Sequence, residues 1–366
     1  MTDSPFRTRT PNVVGNADVR IPQQEGFESL VDFRSESSDE REVGIVLPVG
    51  CGKSGLITLA PFALRSKRTL VVAPGIRIYN QLAAEFEPSN PDMFYIARGV
   101  LEGPPYPEPV PLREERVTVS DLEEAHVVVT NIDRFRGGAD NTWLRELPAD
   151  FFDLILFDEA HHNVAESWET LRTAFPAARI VNFSATPQRA DGQIMAGRII
   201  YSFSVFRAIQ LGYVKRLKAI VLNPETLKFV RNDGEEVEVP LDEVIRLGEE
   251  EADFRRSIVT SEETLGTIAD ASIRALRALR TECADNRHKI IASALNYTEC
   301  HRIVEAYRAR GLRANFIHTR EGQRTERVLK QLDAHELDVI VQVRMLGEGF
   351  DHGYLSIAAV FSPDYA

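Results

Sequence analysis

Residues 47–55 read Leu-Pro-Val-Gly-Cys-Gly-Lys-Ser-Gly, and the fold follows from what this stretch can hold. Glycine backbone can approach a phosphate closely and turn several N–H groups inward. Lys53 adds a mobile positive charge for the outer phosphates, and the Ser54 hydroxyl is placed to ligate Mg²⁺. Gly50, Cys51, Gly52, Lys53, Ser54 and Gly55 therefore form a candidate triphosphate-binding loop. The flanks agree. Residues 43–47 are a short apolar run that reads as a buried strand, and 54–64 read as a helix. Phosphates would then meet a helix N-terminus, where the dipole favours anions. The strict pattern has Gly at position 47, where this chain has Leu47.

A second stretch, 152–162, reads Phe-Asp-Leu-Ile-Leu-Phe-Asp-Glu-Ala-His-His. Its apolar run 154–157 suits a central parallel strand covered on both faces. Asp158 and Glu159 follow at the C-terminal end, where open α/β sheets bind their ligands. In a P-loop enzyme the first carboxylate holds the Mg²⁺ shell and the second polarises the attacking water. An acidic helix start would also place carboxylates here, but the loop upstream favours the catalytic pair. His161 and His162 do not read as a metal site, because neighbouring residues on a helix point apart.

Further motifs keep one order along the chain. Arg20-Ile-Pro-Gln23-Gln-Glu precedes the first strand, and Leu70-Val-Val-Ala-Pro-Gly-Ile-Arg77 covers the second. Val127-Val-Val-Thr130-Asn131 follows. Ser184-Ala-Thr186-Pro continues as Gln-Arg189-Ala-Asp-Gly. Lys289-Ile-Ile-Ala-Ser293 and Leu346-Gly347-Glu-Gly-Phe-Asp351 lie in the last third. With the P-loop and the Asp-Glu-Ala-His sequence, these resemble the motif series of a superfamily 2 helicase or translocase of the DEAD/DEAH class. The extended form at 184–192 is similar to the subgroup that contains type III restriction subunits.

That resemblance implies an α/β protein of two tandem RecA-like P-loop NTPase lobes, using ATP and Mg²⁺. ATP is expected between the lobes, with Lys53, Asp158 and Glu159 as catalytic groups and Ser54 and Asp158 on the metal. In relatives, Gln23 reads adenine, Gly347 and Asp351 approach the nucleotide from the second lobe, and His161, Ser184 and Thr186 couple the motifs. Ser184 and Thr186 also fit a plain helix N-cap. Arg77, Thr130, Asn131 and Arg189 line the nucleic-acid face in relatives. Arg320, Arg324 and Arg327 form a second basic set, which ordinary surface arginines would also explain. The resemblance further implies an arginine-bearing motif VI after residue 351. No Gln-x-x-Gly-Arg-x-x-Arg pattern follows there, so the second lobe reads as incomplete and turnover is expected to be weak, given what an arginine finger contributes. Cys51 lies inside the loop, so its alkylation is expected to block ATP.

The expected activity is ATP-driven unwinding of DNA or translocation on it, in a prokaryotic restriction or defence setting, with a nuclease among the candidate partners. DNA is favoured over RNA. An RNA helicase and an ATP-gated clamp with little turnover are the alternatives.

Composition sets few further limits. The 366 residues carry a net charge of −12, which does not advertise a nucleic-acid binder. It leaves room for a local basic stripe, which is all that phosphate contact needs. No apolar run approaches a membrane span and no secretory h-region is visible. Cys51, Cys283 and Cys300 show no paired spacing, which suits a reducing cytoplasm.

The expected organisation is a partly ordered arm over 1–19, a first lobe over 20–206, a connector over 207–265 and a second lobe over 266–366. In the first lobe the strand candidates are 43–47, 69–73, 126–130, 154–158 and 180–184. A proline-dense stretch at 103–112 reads as an extended surface loop. The connector carries a hairpin around Asn232-Asp-Gly and an acidic stretch that reads as a solvated face. In the second lobe a helix is expected over 262–280 and strands at 289–293, 313–317 and 338–343.

Overall fold

A computed structural model describes residues 3–37, 39–112, 117–135, 141–159, 165–186, 196–215, 226–230, 236–240, 262–294, 296–343 and 352–361. The chain divides into two compact units, Met1–Leu217 and Lys218–Ala366.

The first unit is built on a seven-stranded sheet. Its strands are β1 (Glu42–Val46), β2 (Thr69–Ala73), β3 (Pro109–Leu112), β4 (Val127–Asn131), β5 (Leu154–Phe157), β6 (Arg179–Ser184) and β7 (Arg198–Ser202). They lie in the order β3-β4-β2-β5-β6-β1-β7, and every pairing is parallel. The helices are α1 (Pro5–Thr8), α2 (Ile21–Ser35), α3 (Lys53–Leu64), α4 (Ile76–Phe86), α5 (Phe94–Ala97), α6 (Val119–Glu124), α7 (Thr142–Glu146), α8 (Ala165–Ala174) and α9 (Val205–Gln210).

Parallel strands need helices on both faces, and alternate residues supply the two cores. Ile45, Val71, Val129, Leu156 and Phe183 pack with α2, α3 and α4. Val46, Leu70, Val72, Val128, Ile155 and Phe157 pack on the other face with Leu122 of α6 and with Trp168 and Leu171 of α8. Helix α3 is buried from Gly55 to Leu64, as an all-round apolar helix must be.

Three features depart from the sequence expectation. Residues 3–19 do not form a loose arm. Phe6, Val13 and Val19 enter the first core, and Asn12 N–H donates to Val100 O at 2.8 Å. The proline-dense stretch ends in strand β3, which among the described residues pairs only with β4. Proline lacks a ladder donor, so Pro109 and Pro111 are tolerated there because the strand is an edge. Residues 207–215 continue the first unit instead of opening a connector, since α9 docks through the buried Ala208.

In the second unit, β10 (Lys289–Ser293), β11 (Ala314–Ile317), β12 (Val339–Gln342) and β13 (Leu355–Val360) form a parallel sheet in the order β11-β12-β10-β13. Helices α10 (Glu262–Cys283) and α11 (Tyr297–Ala309) contribute to one core, which includes Ile273, Ile303 and Tyr307. Helix α12 (Gln323–Asp333) supplies Val328 and Leu332 to another. Strands β8 (Thr226–Val230) and β9 (Glu236–Pro240) pair antiparallel. The two sheets are those of tandem RecA-like helicase lobes.

Candidate active site

The ends of β1, β2, β4, β5 and β6 share one edge of the first sheet, because all of these strands run the same way. Ligands bind at that edge in open α/β sheets. The P-loop leaves β1 there. Leu47 N–H donates to Ser184 O at 2.9 Å, and the Leu47 side chain is fully buried in the core. Position 47 therefore extends the strand and lies before the loop turns, which is why this chain carries leucine where the strict pattern has glycine.

The turn needs the next two glycines. Gly50 and Gly52 have φ of +85° and +89°, a region that side chains avoid. A Cβ on Gly50 would lie 2.9 Å from Tyr213 O, and one on Gly52 would lie 2.5 Å from Gln23 Nε2. Helix α3 then begins at Lys53 with no side-chain cap on its N-terminus. Its first amides are the groups that an anion would satisfy.

The carboxylates lie opposite. Lys53 Nζ is 3.2 Å from Asp158 Oδ1 and also donates to Glu159 Oε1. Both acids are buried. Asp158 N–H donates to Val72 O at 3.0 Å, which continues the sheet ladder and fixes the backbone. Asp158 Oδ1 accepts Glu159 N–H at 3.0 Å. Glu159 takes a φ of +49°, a left-handed conformation that non-glycine residues hold at a cost, commonly at functional sites. Ser54 Oγ accepts from Gln81 Nε2 of α4 at 3.3 Å. A hydroxyl and a buried carboxylate are hard oxygen donors, the type that Mg²⁺ takes alongside phosphates. Among the described residues, no group of three or more His, Cys, Asp or Glu side chains is arranged to hold an ion.

Gln23 is turned towards the loop. Its Oε1 accepts Arg20 N–H at 2.9 Å at the start of α2, and its Nε2 donates to Gly52 O at 2.8 Å. Each end of the amide keeps one further hydrogen-bonding capacity. Arg20 donates to Gly50 O and stacks 5.5 Å from the Tyr213 ring centroid. Glu25 binds Tyr201 Oη at 2.7 Å and pairs with Arg207 at 2.7 and 2.9 Å, which ties α2 to β7 and α9.

Burial of Cys51 governs how readily its alkylation can occur. The residue is fully buried, and burial raises its thiol above the ordinary value against the opposing charge of Arg20. The thiolate is the reactive form, so alkylation in the folded protein is expected to be slow.

The other candidates separate into two groups. Ser184 Oγ accepts Thr186 N–H at 3.1 Å and donates to Thr186 O at 2.6 Å. This is a local turn lying between the P-loop strand and Asp158. Thr130 and Asn131 end β4, and Arg77 is exposed in the first turn of α4. Asn131, Asp133 and Arg134 line a cleft of about 310 Å³ with Ile76, Tyr79 and Leu112. His161, Arg189, Gly347 and Asp351 lie outside the described residues. Sequence reasoning missed Gln81, Phe94 and Tyr213 as neighbours of the loop. Phe94 limits position 55, where a Cβ would lie 2.3 Å from its ring. Nothing at the sequence level marks Tyr213, which is far from the loop along the chain.

A P-loop facing an Asp-Glu pair at the ligand-binding edge of a parallel sheet is the arrangement of a P-loop NTPase, and the likenesses of this chain lie among the superfamily 2 helicases and translocases. Residues 16–189 match the family described as type III restriction enzyme, res subunit (ResIII). A relative described as the DNA 3'-5' translocase XPB2 of Sulfurisphaera tokodaii is 23% identical over 362 residues, covering 90% of this chain and 74% of its own. Two solved structures share the fold. The Hef helicase domain of Pyrococcus furiosus aligns with a TM-score of 0.52 at 17% identity, covering 94% of this chain and 90% of that chain. A fragment described as an HsdR subunit of a type I restriction enzyme from Vibrio vulnificus YJ016 aligns at 0.51 and 16%, covering 90% of this chain and 55% of that one. No helix among the described residues is long and apolar enough to cross a membrane.

Proposed function

We propose that this chain is an ATP-dependent motor that unwinds DNA or translocates on it. The observation that carries the reading is Lys53 held by Asp158 and Glu159 beside the uncapped start of α3. A phosphate chain laid on those amides competes for Lys53, and the lysine then leaves the carboxylates. Ser54 and Asp158 would hold Mg²⁺, which supplies charge neutralisation of the phosphates when bound. With Lys53 turned to the phosphates, Glu159 would orient the attacking water and accept its proton. Gln23 and Arg20 keep Gly50 and Gly52 in their left-handed turns and so preserve the cradle.

The cleft edged by Asn131, Asp133 and Arg134, with Arg77 in the same helical turn as Ile76, is the proposed nucleic-acid face of the first unit. The choice of DNA rests on the restriction-subunit family of residues 16–189 and on the DNA translocase among the relatives. A nuclease-bearing restriction or defence complex is the proposed setting. Three free cysteines fit a reducing cytoplasm.

The test is ATP hydrolysis with duplex DNA, single-stranded DNA, single-stranded RNA or no polymer, using Lys53→Ala as the blank. The proposal expects DNA to stimulate and RNA not to. Stimulation by RNA alone, or by no polymer, would overturn it.

A further inference from the structure

The second unit gathers rings and cations at one edge of its sheet. Helix α11 follows β10, and the turn at Thr319–Glu321 follows β11. The strands are parallel, so both segments start at the C-terminal edge, the ligand-binding edge of such sheets. Tyr297 opens α11, and His301 lies one turn along the same helix face.

The Tyr297 ring meets three others edge to face. Its centroid lies 4.9 Å from that of His301, 5.1 Å from that of His318 and 5.6 Å from that of the buried Phe316. The Arg320 guanidinium is 5.7 Å from the Tyr297 centroid, and that of Arg324 is 5.1 Å from Phe316. Glu321 fixes the arrangement, accepting from Tyr297 Oη at 2.6 Å and from Arg324 at 3.0 Å.

Two features mark this cluster as more than a satisfied surface. His301, Arg320 and Arg327 are exposed, and among the described residues neither Arg320 nor Arg327 has a carboxylate partner. Over residues 320–333, Arg320, Arg324, Arg327 and Lys330 outnumber Glu321, Glu326 and Asp333 by one, in a chain whose net charge is −12. Rings with adjacent guanidiniums suit a single nucleic-acid strand. Bases stack on π faces, and arginines take the phosphates. A duplex keeps its base faces stacked internally and offers such a cluster only its backbone.

We propose that Tyr297, His301 and His318, flanked by Arg320 and with Arg327 one turn beyond Arg324 on α12, form a base-stacking seat for one nucleic-acid strand on the second unit. The inference rests on the motor reading above and adds that one strand is gripped by its bases as well as by its phosphates.

The test uses the full chain and fluorescence anisotropy at one fixed salt concentration. The probes are a thymidine 20-mer, an abasic 20-mer with the same backbone, a uridine 20-mer and a 20-base-pair duplex. His301→Ala removes the exposed ring of the cluster and is the primary variant; because that ring also lies 4.6 Å from Phe316, its fold is checked by circular dichroism as well. Tyr297→Leu is the stronger one and is checked for folding by circular dichroism. Each is expected to weaken thymidine 20-mer binding about tenfold, the scale of one lost stacking contact. The abasic and duplex probes are expected to be unaffected. Arg327→Gln is expected to weaken all probes alike. Equal thymidine and uridine affinity would show that the seat reads bases without regard to the sugar; a large difference between them would overturn a purely base-stacking grip. If His301→Ala and folded Tyr297→Leu bind the thymidine probe like the wild type while DNA still stimulates ATP hydrolysis, the seat is refuted and the motor stands. If the wild type binds no probe, both readings fall.

Discussion

Gln23→Ala separates bracing of the phosphate loop from reading of the base. The substitution removes the acceptor for Arg20 N–H and the donor to Gly52 O. A helix cap contributes about 1 kcal/mol, and a neutral hydrogen bond contributes about 1 kcal/mol net. The expected loss is therefore about 2 kcal/mol, which in a unit of this size lowers Tm by roughly 4–8 °C. The chain's two tryptophans, Trp143 and Trp168, both lie in the first unit, so tryptophan fluorescence follows the relevant transition. ATP and GTP should lose affinity together, because what loosens is the loop that holds phosphates. Gln23→Glu keeps the acceptor for Arg20 but sets a buried carboxylate oxygen against Gly52 O, so it should destabilise at least as much as Gln23→Ala. If Gln23→Ala leaves the fluorescence transition in place and weakens ATP while sparing GTP, the amide reads adenine and the bracing argument is wrong.

Three further outcomes follow from the same geometry. In the native protein a thiol reagent should titrate the exposed Cys283 quickly and spare Cys51 and Cys300, since burial raises both buried thiols, Cys300 to about 12. Fast labelling of Cys51, protected by ATP, would contradict this. Lys53→Ala should abolish nucleotide binding, whereas Glu159→Gln should bind ATP and lose turnover by about a hundredfold or more, as expected for a lost general base; equilibrium binding and single-turnover hydrolysis distinguish the two. In the second unit burial opposes the charge on Asp338, but hydrogen bonds from Arg313 and Arg280 outweigh it and hold the carboxyl well below the usual range. A depressed acid stabilises the fold above its unfolded pKa, near 4. That contribution is lost as pH falls from about 4 through the folded value. Asp338→Asn should cost about 2 kcal/mol at neutral pH and flatten this acid dependence, read by amide exchange in β10 and β12. A variant as stable as the wild type at pH 7 would refute it.

The strand read at 154–158 carried over closely, because a strand buried on both faces has to be apolar throughout and its acids can only appear where it ends. Thr69–Ala73 and Lys289–Ser293 have the same bounds as the apolar runs read from sequence. Strand β3 was harder to see. Prolines exclude a central strand, but nothing local says that a chain edge will pass beside β4. The N-terminal segment misled because its polar composition hides three apolar residues, Phe6, Val13 and Val19, spaced with no period of helix or strand. Their burial depends on a surface made by residues much later in the chain.

The sequence by itself determined the parallel α/β class, the phosphate loop and the acid pair. Each of these rests on short-range patterns, namely apolar runs, glycine spacing and the charge at a strand end. Tertiary structure alone decided which groups face that loop. Tyr213 stands over Gly50, Gln81 reaches Ser54, and Cys51 is sealed from solvent. These contacts join residues that are distant along the chain and brought together by crossover connections, and no local pattern encodes such a distance.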